Sequence, residues 1–316
     1  MTTVKAIDFH EAAELLSEND RFVIVTHSNP DGDTLGCAFA LFGALKKAGK
    51  TAKVVSEKPI PEIFSYLCAE GDSFEGNETV IAVDVADAKL MGALEASYGK
   101  RTLLCIDHHP SNTGYAENLL LCPKAAAACE IVLRLIKEMK IDIDGNIADA
   151  LYTGITTDTG CFRYSNVTAD THRFAGELIE KGADHVKIDT LMFETKSMSY
   201  FLLEKKALEN MELLFDGRVA IISLTKKMFD ESGADEEAAN AIKSIPRQIK
   251  GVSIGITLRE DDGVFHVSMR TDEPYDASEI CRRFGGGGHA RAAGCEISLS
   301  EDESKKEIIK VLREYF

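Results

Sequence analysis

The chain of 316 residues sets 36 basic against 52 acidic side chains, a formal net charge of −16, with 45% hydrophobic and 28% charged residues. That length accommodates two domains with cores of their own. The acidic balance excludes a protein that grips long nucleic acid through many phosphate contacts, but not a short anionic substrate held by a metal and a local arginine cluster.

No apolar run approaches the roughly 18 residues of a membrane helix, and Met1-Thr2-Thr3-Val4-Lys5 opens no secretory signal, so a cytoplasmic protein without a membrane partner is expected. The eight cysteines include no Cys-x-x-Cys pair, which predicts buried reduced thiols rather than a disulfide framework or a zinc ribbon.

Residues 8–18 have the spacing of an amphipathic helix, with Ala12, Leu15 and Leu16 on one side. The apolar run Phe22 to Val25 predicts a buried strand. It leads into a turn crowded with His27, Asn29, Asp31 and Asp33, where Pro30 and Gly32 forbid regular structure. Leu35, Ala38, Phe39, Leu41 and Phe42 then predict a helix over 34–48, ended by Gly49. Residues 51–56 predict a strand, and Pro59 and Pro61 break the segment after it. Val80 to Val83 predicts a second buried strand that ends on Asp84, with Asp87 close behind and a helix over 88–97. Leu103 to Ile106 predicts a third, ending on Asp107, His108, His109 and Pro110. Strands alternating with helices predict βαβ units and a mostly parallel sheet.

Helices are predicted over 125–139 and 146–157, the second running into a turn that carries Asp158. One or two more are predicted over 168–193, with Gly182 as a stop, and a long one over 197–211. From 212 the pattern changes. Strands are predicted at 218–224, 250–259 and 264–270, the last two as a hairpin turning at Asp261-Asp262-Gly263. A helix over 276–284, a strand near 294–298 and a terminal helix from about 300 complete the second part.

In open α/β sheets the ligand crevice lies beyond the carboxyl ends of the strands. Three apolar strands here each end in metal-capable side chains, so His27, Asp31, Asp33, Asp84, Asp107, His108 and His109 are expected to converge. One aspartate before a helix can simply cap it. Several crowded together repel one another unless a cation neutralises them, which predicts a divalent metal site. The donors exceed the needs of one ion, and a carboxylate bridging two ions is how two-metal phosphoryl chemistry is built. Mixed imidazole and carboxylate ligation suits Mn²⁺, Fe²⁺, Co²⁺ or Zn²⁺ better than Mg²⁺ or Ca²⁺.

A second cluster lies near the C-terminus. Gly285, Gly286, Gly287 and Gly288 precede His289 and Arg291, and Arg270 ends a predicted strand. Glycines in a row allow a nest of exposed N–H groups suited to an anion. A glycine run is more often a flexible linker, but Phe284 and Ala292-Ala293 flank this one with packing residues. Arg282 and Arg283 read as a solvated helix face.

His27-x-x-x-Asp31-x-Asp33, Asp84, Asp107-His108-His109 and Asp158 together resemble the four motifs of the DHH phosphoesterase superfamily. The run Gly285 to His289 resembles the glycine-rich signature of the DHHA1 domain. Together the motifs span almost the whole chain, and the likeness is strongest to stand-alone bacterial nanoRNases that also act as phosphatases of 3′-phosphoadenosine 5′-phosphate (pAp).

The resemblance implies an α/β protein with a catalytic dimetal domain over 1–190, a helical connector over 191–211 and a smaller substrate-binding domain over 212–316, the active-site cleft lying between the two domains. It implies two divalent ions, usually Mn²⁺. His27, Asp31 and Asp84 would hold one; Asp33, Asp84, His108 and Asp158 would hold the other, with Asp84 as the bridge. His109 would lie beside the substrate phosphate, and Asp107 would orient the neighbouring histidines. Arg270, Gly286, Gly287, Gly288 and His289, with Arg291, would grip a nucleotide. The implied substrates are oligoribonucleotides of two to five residues and pAp, and the implied assembly a homodimer. The alternative activity is a cyclic-dinucleotide phosphodiesterase acting on cyclic di-AMP or its linear product. A non-catalytic nucleotide- or metal-binding regulator is the rival of another class; it predicts degraded metal motifs, whereas every expected ligand is present.

Overall fold

The apolar runs of the first half assemble into one six-stranded sheet. Its strands are β1 (Lys5–Ala6), β2 (Phe22–Val25), β3 (Ala52–Val55), β4 (Thr79–Val83), β5 (Thr102–Asp107) and β6 (Asn118–Leu121). They lie in the order β1-β6-β5-β4-β2-β3, every neighbouring pair parallel. The structure is a computed structural model that describes residues 4–74 and 76–316, Glu237 by its backbone alone. The chain divides into two compact units, Met1–Thr195 and Lys196–Phe316.

The first sheet is covered on both faces, which is why its central strands read as unbroken apolar runs. Phe22 and Ile24 pack into one core with Leu35, Leu41, Ile131 and Leu151. Val23 and Val25 face the other way, against Val80, Ala82, Met91 and Cys105. The helix Gly32–Lys47 is buried on almost every side and crosses Gly145–Asp158 closely. Gly36 makes that crossing feasible: a Cβ there would stand 2.4 Å from the Ala150 carbonyl oxygen.

The second unit carries a mixed sheet of β7 (Glu212–Leu214), β8 (Val219–Leu224), β9 (Ile254–Asp261), β10 (Val264–Thr271), β11 (Gly287–His289) and β12 (Ala292–Ile297), ordered β11-β12-β10-β9-β8-β7. Only β8 and β9 run parallel. Asp262 and Gly263 both take positive φ at the β9–β10 turn, the requirement of a tight hairpin matched to strand twist. Ile256, Leu258, Val267 and Met269 pack on one face against Ile280, Ile308 and Leu312. On the opposite face Ile222 and Leu224 pack against Leu203, Ala207 and Ile242.

The helices expected over 8–18 and 34–48 and the strands expected at 22–25, 80–83, 103–106, 218–224 and 264–270 are all present within two residues or so. The helix Met198–Glu209, expected to be a connector, is packed into the second unit, where Leu203 and Ala207 are fully buried. The sequence reading had no counterpart for β1, β6 and β7, or for the helices Lys226–Ser232 and Glu236–Ile242. Among the described residues no helix is long and apolar enough to cross a membrane.

Candidate metal centre

Strands β2, β4 and β5 lie side by side, and their carboxyl ends bring the expected side chains together. His27 follows β2. Its Nε2 lies 3.6 Å from Asp31 Oδ1 and 3.9 Å from Asp84 Oδ2. His108 follows β5, with its Nε2 3.6 Å from Asp84 Oδ1, 3.6 Å from Asp158 Oδ2 and 3.9 Å from Asp33 Oδ2. Two ligand groups emerge, His27–Asp31–Asp84 and Asp33–His108–Asp158, each with its donor atoms within 4.8 Å of one another. Asp84 belongs to the first and approaches His108 of the second. Asp158 is the last residue of the helix Gly145–Asp158 rather than part of the following turn, so that helix fixes its position.

Asp84 is the centre of the cluster and its most costly residue. It is 5% exposed, and its Oδ1 has no hydrogen-bond partner among the described residues. Its backbone has φ 58°, a left-handed conformation that aspartate adopts more readily than most residues but at a cost. Burial, with Asp33 the foremost of the neighbouring carboxylates, holds its carboxyl well above the usual range. Burial and Asp33 push Asp158 up to about 7. An orphaned carboxylate oxygen facing imidazoles and further carboxylates is the donor set of a divalent cation.

Asp31 does two jobs. It caps the helix Gly32–Lys47 by accepting from the amides of Asp33 and Thr34, both at 3.1 Å, and it still stands in the first ligand group. The capping role and the ligand role are therefore compatible. Asp33 is anchored from far along the chain. Its two oxygens accept the amides of Ala128 (2.6 Å) and Cys129 (2.9 Å) at the start of the helix Ala128–Glu138. The N-cap of that helix is Ala127, which has no side-chain acceptor, so Asp33 takes its place. Cys37 and Cys129 lie beneath, their sulfurs 3.4 Å apart, and all eight cysteines are free thiols.

The two histidines of the Asp107-His108-His109 run are oriented differently. His109 Nδ1 is 2.7 Å from Asp107 Oδ1, and that bond holds the imidazole above its usual pKa, toward the charged form. Asp107 is fully buried and also receives Asn112 Nδ2 on its other oxygen at 2.6 Å. His108 Nδ1 instead meets the Ala125 carbonyl at 3.2 Å, which leaves Nε2 free to face the carboxylates. Asp107 thus reaches His108 only through its backbone amide, at 2.8 Å.

Asn112, Glu130 and Asn166 are supporting residues that the sequence reading missed. Glu130, 4% exposed, accepts the Thr171 hydroxyl at 2.6 Å and the Ala126 amide at 3.3 Å. Asn166 donates to the carbonyls of Ala126 (2.9 Å) and Asp158 (3.1 Å). Together they fix the segment whose Ala125 carbonyl orients His108. No local sequence signal marks them: Glu130 and Asn166 reach Thr171 and Ala126 some forty residues away, and Asn112 lies in the loop after Asp107 without a motif of its own.

In the second unit, Arg270 on β10 and His289 on β11 flank Ala292 in register, so the structure brings them together. The glycines differ from the expected nest. The amides of Gly285 and Gly286 close the helix Ala277–Arg282 by donating to Arg282 and Cys281, and Gly287–His289 runs as an edge strand. Gly286 and Gly288 are needed for close approach: a Cβ would stand 2.2 Å from the Gly294 carbonyl oxygen or 2.7 Å from the Ala292 oxygen. The Arg291 guanidinium is occupied by the Tyr275 carbonyl and, at 3.9 Å, Glu273. Arg283 pairs with Glu314 through both nitrogens.

Residues 21–155 match the family model described as the DHH family, N-terminal domain, and residues 216–316 match the DHHA1 domain. The chain is 30% identical over 300 residues to the bifunctional oligoribonuclease and PAP phosphatase NrnA of Thermus thermophilus, across 92% of this chain and 89% of that one. It is 25% identical over 303 residues to the protein of the same name from Bacillus subtilis, across 94% and 95%. Among solved structures, an exopolyphosphatase-related protein from Bacteroides fragilis superimposes with a TM-score of 0.84 at 26% identity, covering 97% of this chain and 96% of that one.

Proposed function

The chain belongs to the DHH phosphoesterase family with a DHHA1 domain, and on that premise we propose that it hydrolyses short oligoribonucleotides to mononucleotides and pAp to AMP with two bound Mn²⁺ ions. The observation that carries the reading is Asp84: a buried carboxylate with an unpartnered oxygen, set among two histidines and three further aspartates. His27, Asp31 and Asp84 would hold one ion; Asp33, Asp84, His108 and Asp158 would hold the other. Divalent ions there supply Lewis-acid polarisation of a phosphoryl oxygen and balance the carboxylate charge.

The side chains do the rest. His108 presents Nε2 because its Nδ1 is taken by the Ala125 carbonyl. His109, held toward its charged form by Asp107, donates to a phosphoryl oxygen whose charge grows in the transition state. Asp107, fixed by Asn112, keeps that imidazole in place. Arg270 and His289, with the small glycine rungs beside them, bind the part of the nucleotide remote from the reacting phosphorus. The occupied guanidinium of Arg291 makes it the weakest member of the expected binding set.

The Thermus thermophilus and Bacillus subtilis relatives, matched over 89% and 95% of their length, carry the oligoribonuclease and pAp phosphatase name, which favours that activity over cyclic-dinucleotide cleavage. The test is parallel incubation of the Mn²⁺-loaded protein with a 5′-labelled RNA trimer, pAp and cyclic di-AMP. Turnover of the first two with slow cyclic di-AMP is expected. Fast opening of cyclic di-AMP alone overturns the substrate assignment, and silence on all three with metal bound overturns the enzyme assignment.

A further inference from the structure

The face of the second sheet that carries Ile222 and Leu224 on β8 is covered there by helices, and across β9 to β12 it is laid out in rungs. Directly paired residues of neighbouring strands share a face. His289, Ala292, Arg270 and Gly255 therefore form one rung, Gly287, Gly294, Ser268 and Thr257 the next, and Glu296, His266 and Arg259 the third. The same β10 places Phe265, Val267 and Met269 in the core, so Arg270, Ser268 and His266 face outward.

The rungs differ in charge. Lys243, which follows the helix Glu236–Ile242, reaches over the middle rung. With Asn240, Thr257 and Ser268 it lines a cavity of about 110 Å³ that extends to Glu236, Arg259 and His266 of the third rung. Its ammonium donates to Asn240 Oδ1 at 3.1 Å. Neither Lys243 nor Arg270 has a carboxylate in ion-pair range among the described residues. Lys243 and Arg259 line the same cavity, and burial, then the Arg270 and Arg259 charges, lower the Lys243 pKa. At the third rung carboxylates outnumber the cations: Arg259 pairs with Glu236 at 2.9 Å, and His266 lies 3.4 Å from Glu296 and 3.7 Å from Asp261.

We propose that Lys243, with Asn240 and the Ser268 hydroxyl, forms a second phosphate subsite beside the Arg270–His289 rung, taking a backbone phosphate one nucleotide further along an oligoribonucleotide. Two residues along a strand advance by about 6.8 Å, comparable with the step between successive phosphates of a single strand. Gly294 and Gly287 keep the floor of the middle rung low, so a nucleotide can lie across it. The carboxylates Glu296, Asp261 and Glu236 then repel any further phosphate and close the track. The subsite rests on the oligoribonuclease reading and adds to it a physical limit on substrate length.

The test compares wild type with Lys243→Met, which keeps the apolar stem, and Lys243→Arg, which keeps the charge. The substrates are a diribonucleotide, which has only the scissile phosphate, pAp, which has one more, and a tetraribonucleotide, which has two more. Lys243→Met is expected to raise KM for the tetranucleotide about tenfold and leave pAp and the dinucleotide within about twofold. The log–log salt slope of tetranucleotide kcat/KM should flatten by about 0.7, one phosphate's worth for single strands. Lys243→Arg should restore most of the affinity. Equal losses on all three substrates, or none on the tetranucleotide, overturn the subsite. If wild type turns over no oligoribonucleotide, the parent reading fails separately. Equilibrium binding of a labelled tetranucleotide then decides: tenfold weakening in Lys243→Met keeps the subsite, and equal or absent binding removes it.

Discussion

The carboxyl ends of the first sheet and the face of the second that carries Arg270 are built on opposite charge. Around β2, β4 and β5, four aspartates crowd two histidines, and Asp84 leaves an oxygen unpartnered. On β10, Arg270 and the neighbouring Lys243 stand without an acidic partner among the described residues, within an acidic chain. Both arrangements are unfavourable in isolation, and on the proposed reading each would be relieved by a ligand of the missing sign: a cation among the carboxylates of the first unit, a phosphate beside the cations of the second. A phosphoester with its metals supplies both. Repulsion that folding alone does not satisfy is thus a better guide to these sites than the depth of a pocket.

The largest expected effect breaks the acidic side of the comparison. Asp84→Asn keeps size and suits the left-handed backbone at φ 58°. It should lower kcat about 10³-fold or more on every substrate, the scale on which loss of transition-state charge stabilisation acts. The same substitution should raise the Tm of the metal-free protein at pH 8, because it removes a buried charge that burial and Asp33 disfavour. Near-normal turnover would sink the dimetal assignment.

A smaller effect concerns pH. Asp84 and Asp158 have folded pKa values above their unfolded ones, Asp158 at about 7. Their contribution to stability without metal is therefore full below about pH 4; that of Asp158 is lost as pH rises through about 7, and that of Asp84 is likewise lost as pH rises through its raised pKa. Metal requires the deprotonated forms. The rise in Tm on adding Mn²⁺ should accordingly be larger at pH 8 than at pH 5.5, as scanning fluorimetry would show. Equal shifts at both pH values would detach the metal from these carboxylates.

The cationic side is sharpened by Arg270→Ala. It should raise KM for pAp and for an RNA trimer about tenfold, in line with the loss of one charge-assisted contact. Hydrolysis of a generic aryl phosphodiester should change little, because the proposed role of the guanidinium is to hold a part of the nucleotide that such an ester lacks. Equal losses on nucleotide and aryl substrates would remove the recognition role.

Most of this division was legible in the sequence because the informative residues sit at the ends of short apolar runs. Phe22 to Val25, Thr79 to Val83 and Thr102 to Asp107 are strands whose ends deliver the ligands, and strand ends follow from local pattern. The two-residue β1 and the exposed β7 carry too little pattern to register. The helices Lys226–Ser232 and Glu236–Ile242 have only seven residues each, and the second delivers Lys243. The supporting shell was illegible for a different reason. Glu130 and Asn166 act on Ala126, and Asn112 acts on Asp107, through contacts that exist only once the chain has folded. The glycine run also serves close strand pairing, and two of its amides are spent on a helix end, which its composition alone does not reveal.

Asp33 has a consequence for the order of assembly. Its carboxylate closes the helix that begins at Ala128, a bond between residues 95 positions apart in the chain. Contacts of such separation form late, since the intervening loop must first be closed against its entropy. The candidate ligand group Asp33–His108–Asp158 therefore cannot be complete until β4, β5 and β6 are in place and the chain has returned to lay that helix against the Asp33 loop. Metal capture during refolding then acts as a clock for the last long-range step, and its rate should track the appearance of the native helix rather than early collapse.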